Sequence, residues 1–411
     1  MNDEFKDTEI GRIPKEWEIK KFGDIVEYNL GRTPKRDVKK YWDEPYFNWI
    51  SISDLIQYEE IKHTKERISK IALDEVFHSK YSRKGTLIMS FKLVIGRVSI
   101  LGLDAVHNEA IISIFPKYDV IDKIFLMYYL SIIPYDKYLD RAVKGNTLNK
   151  SKLDKLNIII PPLEEQKRIA YVLSKIQNAI EIQNKLLKLL QELKKTMMHK
   201  LFTEGIGHTQ FKDTEIGRIP KEWEIVTADS VADYYNGYPF KPSQWKKHGI
   251  PIIRIQNLTN SSDIINYFDG LLDTRYQIND GDLLLSWSAT LNVYIWQGHN
   301  AYLNQHIFKV IPRKNIDKFY LYFSLLNVIN KFKNQTHGST MKHFVKSALS
   351  IVNIPLPPLE EQKKIADILS TVDNKISIEN KRKESFEKLF KTMLNKLMTG
   401  QIRTKNMEMV Q

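Results

Sequence analysis

Fifteen residues, FKDTEIGRIPKEWEI, occupy positions 5–19 and return letter for letter at 211–225, an offset of 206. A second matched stretch opens with PPLEEQK at 161–167 and at 357–363, and runs without a gap to about residue 202 against residue 398, an offset of 196. The chain of 411 residues is therefore written twice. That period is far longer than a solenoid repeat of roughly 20 to 50 residues, so each copy is expected to carry a core of its own.

Between the markers the copies diverge but stay in step. GTLIMSFK…HNEAIISIFP (85–116) aligns with GDLLLSWS…LNQHIFKVIP (281–312), keeping Gly85/Gly281, Ser90/Ser286, Gly102/Gly298, Asn108/Asn304 and Pro116/Pro312 in register. Short runs such as FNWISI, GTLIMSF, GDLLLSW and IPIIRI are rich in aromatic and β-branched residues and are bounded by Gly, Pro or Asp, which predicts strands. DKIFLMYYLS (122–131) and DKFYLYFSL (317–325) read as helical patches whose aromatic stripe packs a core. The variable parts are thus mixed α+β domains.

Each shared segment begins at a Pro-Pro pair, Pro161/Pro162 or Pro357/Pro358, where a helix is expected to start. Glu164, Glu165, Glu360 and Glu361 fall in the first turn and complement the positive end of the helix dipole; a catalytic or metal-binding use of the paired carboxylates is the lesser reading. Apolar residues then follow a heptad seam: Ile169, Leu173, Ile176, Ile180, Gln183, Leu187, Leu190, Lys194, Met197 and Leu201. The second copy repeats it from Ile365 to Leu397. Neither segment contains Gly or Pro before Gly205 or Gly400, so each predicts a helix of ~40 residues, ~60 Å long. Antiparallel packing of the two is the simplest closure, and would bring Gln183 and Glu379 together as a polar layer that sets register. The expected architecture is α+β and pseudo-two-fold: a globular domain (1–158), a long helix (159–206), a second globular domain (207–354), and a C-terminal helix and tail (355–411).

Composition narrows the function. Lys and Arg number 62 against 49 Asp and Glu, a formal net charge of +13, which favours a polyanionic partner and nucleic acid first. The alternative is a basic surface kept for solubility. No apolar run approaches the ~18 residues of a membrane span, and the first residues are polar and acidic, so a cytoplasmic protein is expected. Cysteine is absent, which excludes disulfides and thiolate metal sites. No GxxxxGK[ST] loop, no Asn- or Asp-Pro-Pro-Tyr/Phe methyltransferase motif and no HExxH spacing occurs, so neither a catalytic nor a metal site is expected. His306, His337 and His343 read as structural or hydrogen-bonding residues rather than metal ligands.

With its IG.IP.EW openings (Ile10–Trp17 and Ile216–Trp223) and PPLEEQK helix starts, the whole chain resembles the specificity subunit of Type I restriction-modification systems. The resemblance implies two target-recognition domains, each reading one half of a split asymmetric DNA site. The paired helices would act as a ruler between them and as the docking surface for two methyltransferase subunits. S-adenosylmethionine would belong to those partners and ATP to the restriction (translocase) subunits, with no cofactor in this chain. A self-sufficient nucleic-acid-modifying enzyme and a coiled-coil protein scaffold remain the competing readings.

Phosphates are met by Lys and Arg, and base edges by Arg, Lys, Asn, Gln or small hydroxyls, so polar clusters in the variable domains are the candidate DNA contacts. In the first domain these are Arg32, Lys35, Arg36, Lys39 and Lys40 in one loop, then Lys92 and Arg97, then Lys144, Asn146 and Thr147 in KGNT. In the second, Lys241, Lys246 and Lys247 occupy the corresponding loop. Arg254, Gln256 and Asn257 follow in IRIQN, Asn304, Gln305 and His306 in NQH, and Ser339, Thr340 and Lys342 in HGST.

Overall fold

Residues 4–138, 148–288, 290–335, 349–405 and 407 are described by a computed structural model of the chain. They form two units, Met1–Asn184 with Arg382–Gln411, and Lys185–Lys381. The first unit opens on an antiparallel hairpin, β1 (Phe5–Thr8) and β2 (Gly11–Pro14). Gly11 closes its turn at φ 120°, a conformation open to glycine because it has no Cβ. β3 (Glu18–Lys21) leads into the single turn α1 (Phe22–Ile25) and then β4 (Val26–Leu30). β5 (Phe47–Ile50), β6 (Glu60–Ile61), β7 (Glu66–Ile68), helix α2 (Lys70–Phe77), β8 (Leu87–Ser90), β9 (Val98–Leu101), β10 (Val106–His107) and β11 (Ile111–Pro116) follow. The main sheet has the order β4-β11-β8-β9-β6, beside a smaller sheet β10-β5-β7.

β8 shows why this stretch reads as an unbroken apolar run. Its residues alternate between faces; Leu87 and Met89 enter the large core of the unit, while Ile88 packs with Ile50, Leu55 and Ile111 on the other side. Helix α3 (Lys123–Leu130) starts at Asp122, whose carboxylate accepts the Ile124 and Phe125 N–H groups at 2.9 and 2.8 Å. Phe125 to Leu130 are all buried, so the aromatic stripe is core packing. The turn α4 (Lys150–Asp154) precedes β12 (Asn157–Ile160), which pairs antiparallel with β3 and delivers the chain to Pro161 and to helix α5 (Leu163–Thr203).

The second unit repeats this plan. Its elements are β13 (Phe211–Thr214), β14 (Gly217–Pro220), β15 (Glu224–Thr227), α6 (Ala228–Val231), β16 (Ala232–Asn236), β17 (Ile250–Ile253), α7 (Ile255–Leu258), β18 (Asn266–Phe268), β19 (Gln277–Ile278), β20 (Leu283–Ser286), β21 (Asn292–Ile295), β22 (Ala301–Leu303), β23 (Ile307–Pro312), α8 (Lys318–Gln335), β24 (Asn353–Leu356) and the first part of α9 (Leu359–Met398), whose end belongs to the first unit. The sheets are β16-β23-β20-β21 and β18-β17-β22-β19. β20 alternates as β8 does, Leu283 and Leu285 to one core and Leu284 to another. Helix α2 has no counterpart of its length among the described residues of this unit, which is one place where the second variable stretch is shorter.

Both long helices form over 41 and 40 residues, and every predicted seam position is buried or half-buried. Within the first unit the start of α5 (Ile169, Leu173) shares a core with the end of α9 (Phe390, Leu394, Leu397), so the two lie antiparallel there. Within the second, the end of α5 (Met198, Leu201, Phe202) meets the start of α9 (Ile365, Leu369) in the same sense. The matched positions are filled differently: Lys194 pairs with Asp373 at 2.5 Å, whereas its equivalent Phe390 packs on Tyr58 and Tyr128 at 5.3 and 5.8 Å. Gln183 and Glu379 are both buried within their helices, and Glu379 is salt-bridged to Lys375 one turn earlier.

Candidate nucleic-acid interface

One end of the main sheet gathers the loops in each unit. In the first, β4 and β8 finish there and β9 and β11 begin, so Gly31–Thr33, Phe91–Arg97 and Asn108–Ala110 emerge together. Backbone bonds tie them: Gly31 N–H to the Ile111 carbonyl at 3.2 Å, Arg32 N–H to His107 at 2.8 Å, and Phe91 N–H to Ala110 at 2.9 Å. A Cβ on Gly31 would stand 2.1 Å from the His107 and Asn108 carbonyl oxygens, so this crossing admits glycine alone. The fully buried Ser90 brackets the β8–β9 turn, donating to the Val94 carbonyl and accepting the Arg97 N–H at 3.3 Å.

The second unit repeats these bonds, with the serine bracket closing one residue earlier. Gly237 N–H donates to Ile307 at 3.0 Å, and a Cβ there would stand 2.2 Å from the Asn304 carbonyl oxygen. Ser286 donates to Thr290 at 2.5 Å and accepts the Asn292 N–H at 3.1 Å. These are the physical reasons why Ser90/Ser286 and Asn108/Asn304 keep step in the sequence. Gly31 and Gly237, at the offset of the opening repeat, carry the same signal.

Among the predicted contacts, Arg32, Lys92 and Arg97 lie on the loops at this end; Lys92 and Arg97 are half-buried, and Arg97 donates to the Ile52 carbonyl at 3.4 Å. Arg32 is exposed and donates to the Val76 carbonyl at 2.8 Å. The loop cations beyond it are not equivalent. Arg36 holds Glu66 through two bonds of 2.6 and 2.9 Å and lies 3.8 Å from the Trp42 ring centre. Lys40 bonds both oxygens of Glu75 at 2.9 and 2.8 Å. Both carboxyls are held below their ordinary value by these partners, so two of the four cations are neutralised within the domain. Lys35 and Lys39 are exposed. Lys144, Asn146 and Thr147 lie outside the described residues, although Leu148, just after them, bonds the Phe91 carbonyl at 3.3 Å.

In the second unit, Lys241 and Lys247 are exposed, while Lys246 exchanges backbone bonds with Tyr267. The Arg254 guanidinium covers Trp245 at 4.7 Å. Asn257 is a local brace, accepting the Arg254 N–H at 3.0 Å and donating to Ile264 at 2.9 Å; its neighbour Gln256 is half-buried. Asn304 is buried at the loop end. Beside it Gln305 Oε1, His306 Nδ1 and Trp287 Nε1 are buried with no hydrogen-bond partner, and the His306 and Trp287 rings meet edge to face at 5.2 Å. Ser339, Thr340 and Lys342, like His337 and His343, lie outside the described residues.

Two structural groups escaped the sequence reading. His107 is fully buried, its Nε2 2.5 Å from the Ser113 hydroxyl, and burial pushes its pKa down to about 4. More instructive is PPLEEQK, whose two glutamates part company. Glu164 and Glu360 are exposed and bond Lys167 and Lys363 on the helix surface. Glu165 is buried and accepts the Trp17 indole N–H at 3.0 Å and the Arg403 guanidinium at 2.8 Å twice, so it joins the IG.IP.EW motif, the start of α5 and the segment after α9. Glu361 does likewise with Trp223 at 3.0 Å and His208 at 2.9 Å. Gln166 and Gln362 bind the backbone ahead of α3 and α8, accepting the Asp122 and Asp317 N–H groups at 2.8 and 2.9 Å. The motif therefore bolts each long helix to its globular domain, beyond complementing the helix dipole.

Among the described residues no group of three or more His, Asp or Glu could hold a metal ion, and no helix is long and apolar enough to cross a membrane. A family model described as the Type I restriction modification DNA specificity domain matches residues 14–192 and again 220–388. The chain is 32% identical to the putative Type I restriction enzyme MjaX specificity subunit of Methanocaldococcus jannaschii, over 98% of this chain and 97% of that one. It is 30% identical, over the same shares, to the MjaVIII specificity subunit of that organism. The fold matches the crystal structure of a Type I restriction-modification S subunit from M. genitalium, with a TM-score of 0.62, 14% identity and 97% of each chain covered.

Proposed function

Because this chain belongs to the family of Type I restriction-modification specificity subunits, and DNA target recognition is its function, we propose that each unit reads one half of a split, asymmetric DNA site. One observation carries this: two units end their main sheets in the same loop scaffold, held by the same glycine and serine, yet carry different side chains on it. A shared scaffold with divergent tips is what two readers of different sequences require. The partnerless Gln305 and His306 atoms support the reading, since buried polar groups without partners are costly and a base edge would satisfy them.

On this proposal the chain is non-catalytic and acts in the cytoplasm. Two methyltransferase subunits dock on it and supply S-adenosylmethionine chemistry, and restriction subunits bring ATP. Exchanging residues 20–155 for the equivalent segment of a relative is expected to change one half of the methylated motif and leave the other. A swap that alters both halves, or neither while methylation persists, overturns the assignment. Methyl transfer by the purified chain without partners would overturn its non-catalytic role.

A further inference from the structure

The tip of the β8–β9 hairpin is built against ordinary folding preferences. Leu93 is 73% exposed and Val94 44%, and Leu93 sits at φ 63°, a left-handed conformation that a branched side chain disfavours. Folding alone gives no reason to aim apolar side chains into water from a strained turn, and such strain concentrates where a surface is used. The tip is held in this form by the buried Ser90 and flanked by Lys92 and Arg97, on the sheet end that also carries Arg32. At the matched position of the second unit the sequence reads Ser288, Ala289, Thr290, small and hydroxyl side chains in place of Leu and Val, with Ser286 again donating to the carbonyl two residues after Ser288.

The major groove of B-DNA is wide enough for a two-stranded β-ribbon, and among the four unmodified bases only thymine offers an apolar group there, its 5-methyl. We propose that Leu93 and Val94 contact a thymine 5-methyl group in the major groove, making the β8–β9 tip a specificity-determining element for the half-site read by the first unit. This rests on the DNA-recognition reading above. Lys92 and Arg97 would then meet the phosphates on either side of the groove, and the hydroxyl-bearing tip of the second unit would select a different base.

The test uses the complete complex with its methyltransferase subunits, after the methylated motif has been mapped and the domain exchange has shown which half belongs to the first unit. Each thymine of that half is replaced in turn by deoxyuridine, which lacks only the methyl. One replacement is expected to weaken specific binding by about five-fold, the worth of one buried methyl group. The Leu93→Asn variant, whose side chain tolerates the left-handed backbone, should bind the thymine duplex about as weakly as wild type binds the deoxyuridine duplex, and should lose nothing further on deoxyuridine. Equal affinity for thymine and deoxyuridine throughout, additive losses in the variant, or a first half-site without a T·A pair would each overturn the proposal. The deoxyuridine series uses the wild-type protein and does not depend on any variant folding. A wild-type complex that methylates no defined split motif would instead sink the half-site reading on which the proposal rests.

Discussion

Arg403→Ala tests the bolt at the start of α5 directly. Glu165 is 1% exposed and accepts four bonds, two of them from Arg403, whose side chain is 21% exposed, and the others from Trp17 and the Thr404 N–H. Removing one partner of a fully buried ion pair costs ~3–5 kcal/mol, because a charge is left without compensation. Here Trp17 still donates and water can enter through the exposed side of the guanidinium, so we expect about 2–3 kcal/mol. In a unit of some 200 residues that lowers Tm by roughly 4–12 °C. The loss should depend on pH. Burial pushes the Glu165 carboxyl up, and Arg403 and Trp17 together bring it below its ordinary value. Without Arg403 the burial effect dominates and the folded carboxyl rises above its unfolded value. The variant's deficit relative to wild type is then greatest at neutral pH and shrinks as pH falls, first through the raised value of the variant's carboxyl and then towards the lowered value of the wild type's. Urea denaturation followed by tryptophan fluorescence and circular dichroism reads both effects. Glu165→Gln in the Arg403→Ala background should recover part of the loss, since a neutral amide needs no counter-charge. A variant within 0.5 kcal/mol of wild type at pH 7, or one with a deficit of the same size at pH 4.5, would refute the reasoning; both thresholds lie outside the usual scatter of surface substitutions.

The ion pairs of the first recognition loop separate two kinds of cation. Lys35→Ala with Lys39→Ala should flatten the salt dependence of DNA binding by about 0.9 in slope for each phosphate no longer neutralised, whereas Arg36→Ala with Lys40→Ala should leave the slope unchanged and lower stability slightly, as Glu66 and Glu75 lose their partners; equal slopes for both pairs, measured by titration over salt, would contradict the assignment. His107, held neutral with a pKa of about 4 against 6.5 unfolded, contributes stability that is fully present above pH 6.5 and is lost as pH falls towards 4, on the order of 3 kcal/mol in all. His107→Gln should remove that part of the acid-unfolding profile, and an unchanged profile would show that the ring is already solvated.

Local patterns carried much of this protein into view. Heptad spacing, the Pro-Pro starts and the absence of helix breakers determine α5 and α9, because helix formation depends on residues three and four apart. The repeat of FKDTEIGRIPKEWEI determines that there are two units with the same opening hairpin, and the alternation in LIMS and LLLS is enough to mark the central strands. The candidate interface was half legible: composition singles out Arg32, Lys92 and Arg97, and their loops leave the same end of the main sheet, because β4 and β8 end there and β9 begins there. What composition could not show is the state of each charge. Arg36 and Lys40 look like Lys35 and Lys39 in the sequence, and differ only because Glu66 and Glu75, some thirty residues on, fold against the first pair.

The same limit hid the division of labour in PPLEEQK. Both glutamates satisfy the helix dipole, and nothing local distinguishes Glu164 from Glu165. The fold places Trp17, 148 residues earlier, and Arg403, 238 residues later, around only one of them. Sequence by itself determined the repeats, the helices and the net charge, since these follow from neighbours along the chain. Tertiary structure decided which charges are paired inside the protein and which stay exposed, because an ion pair between distant residues exists only once the chain has brought them within bonding distance.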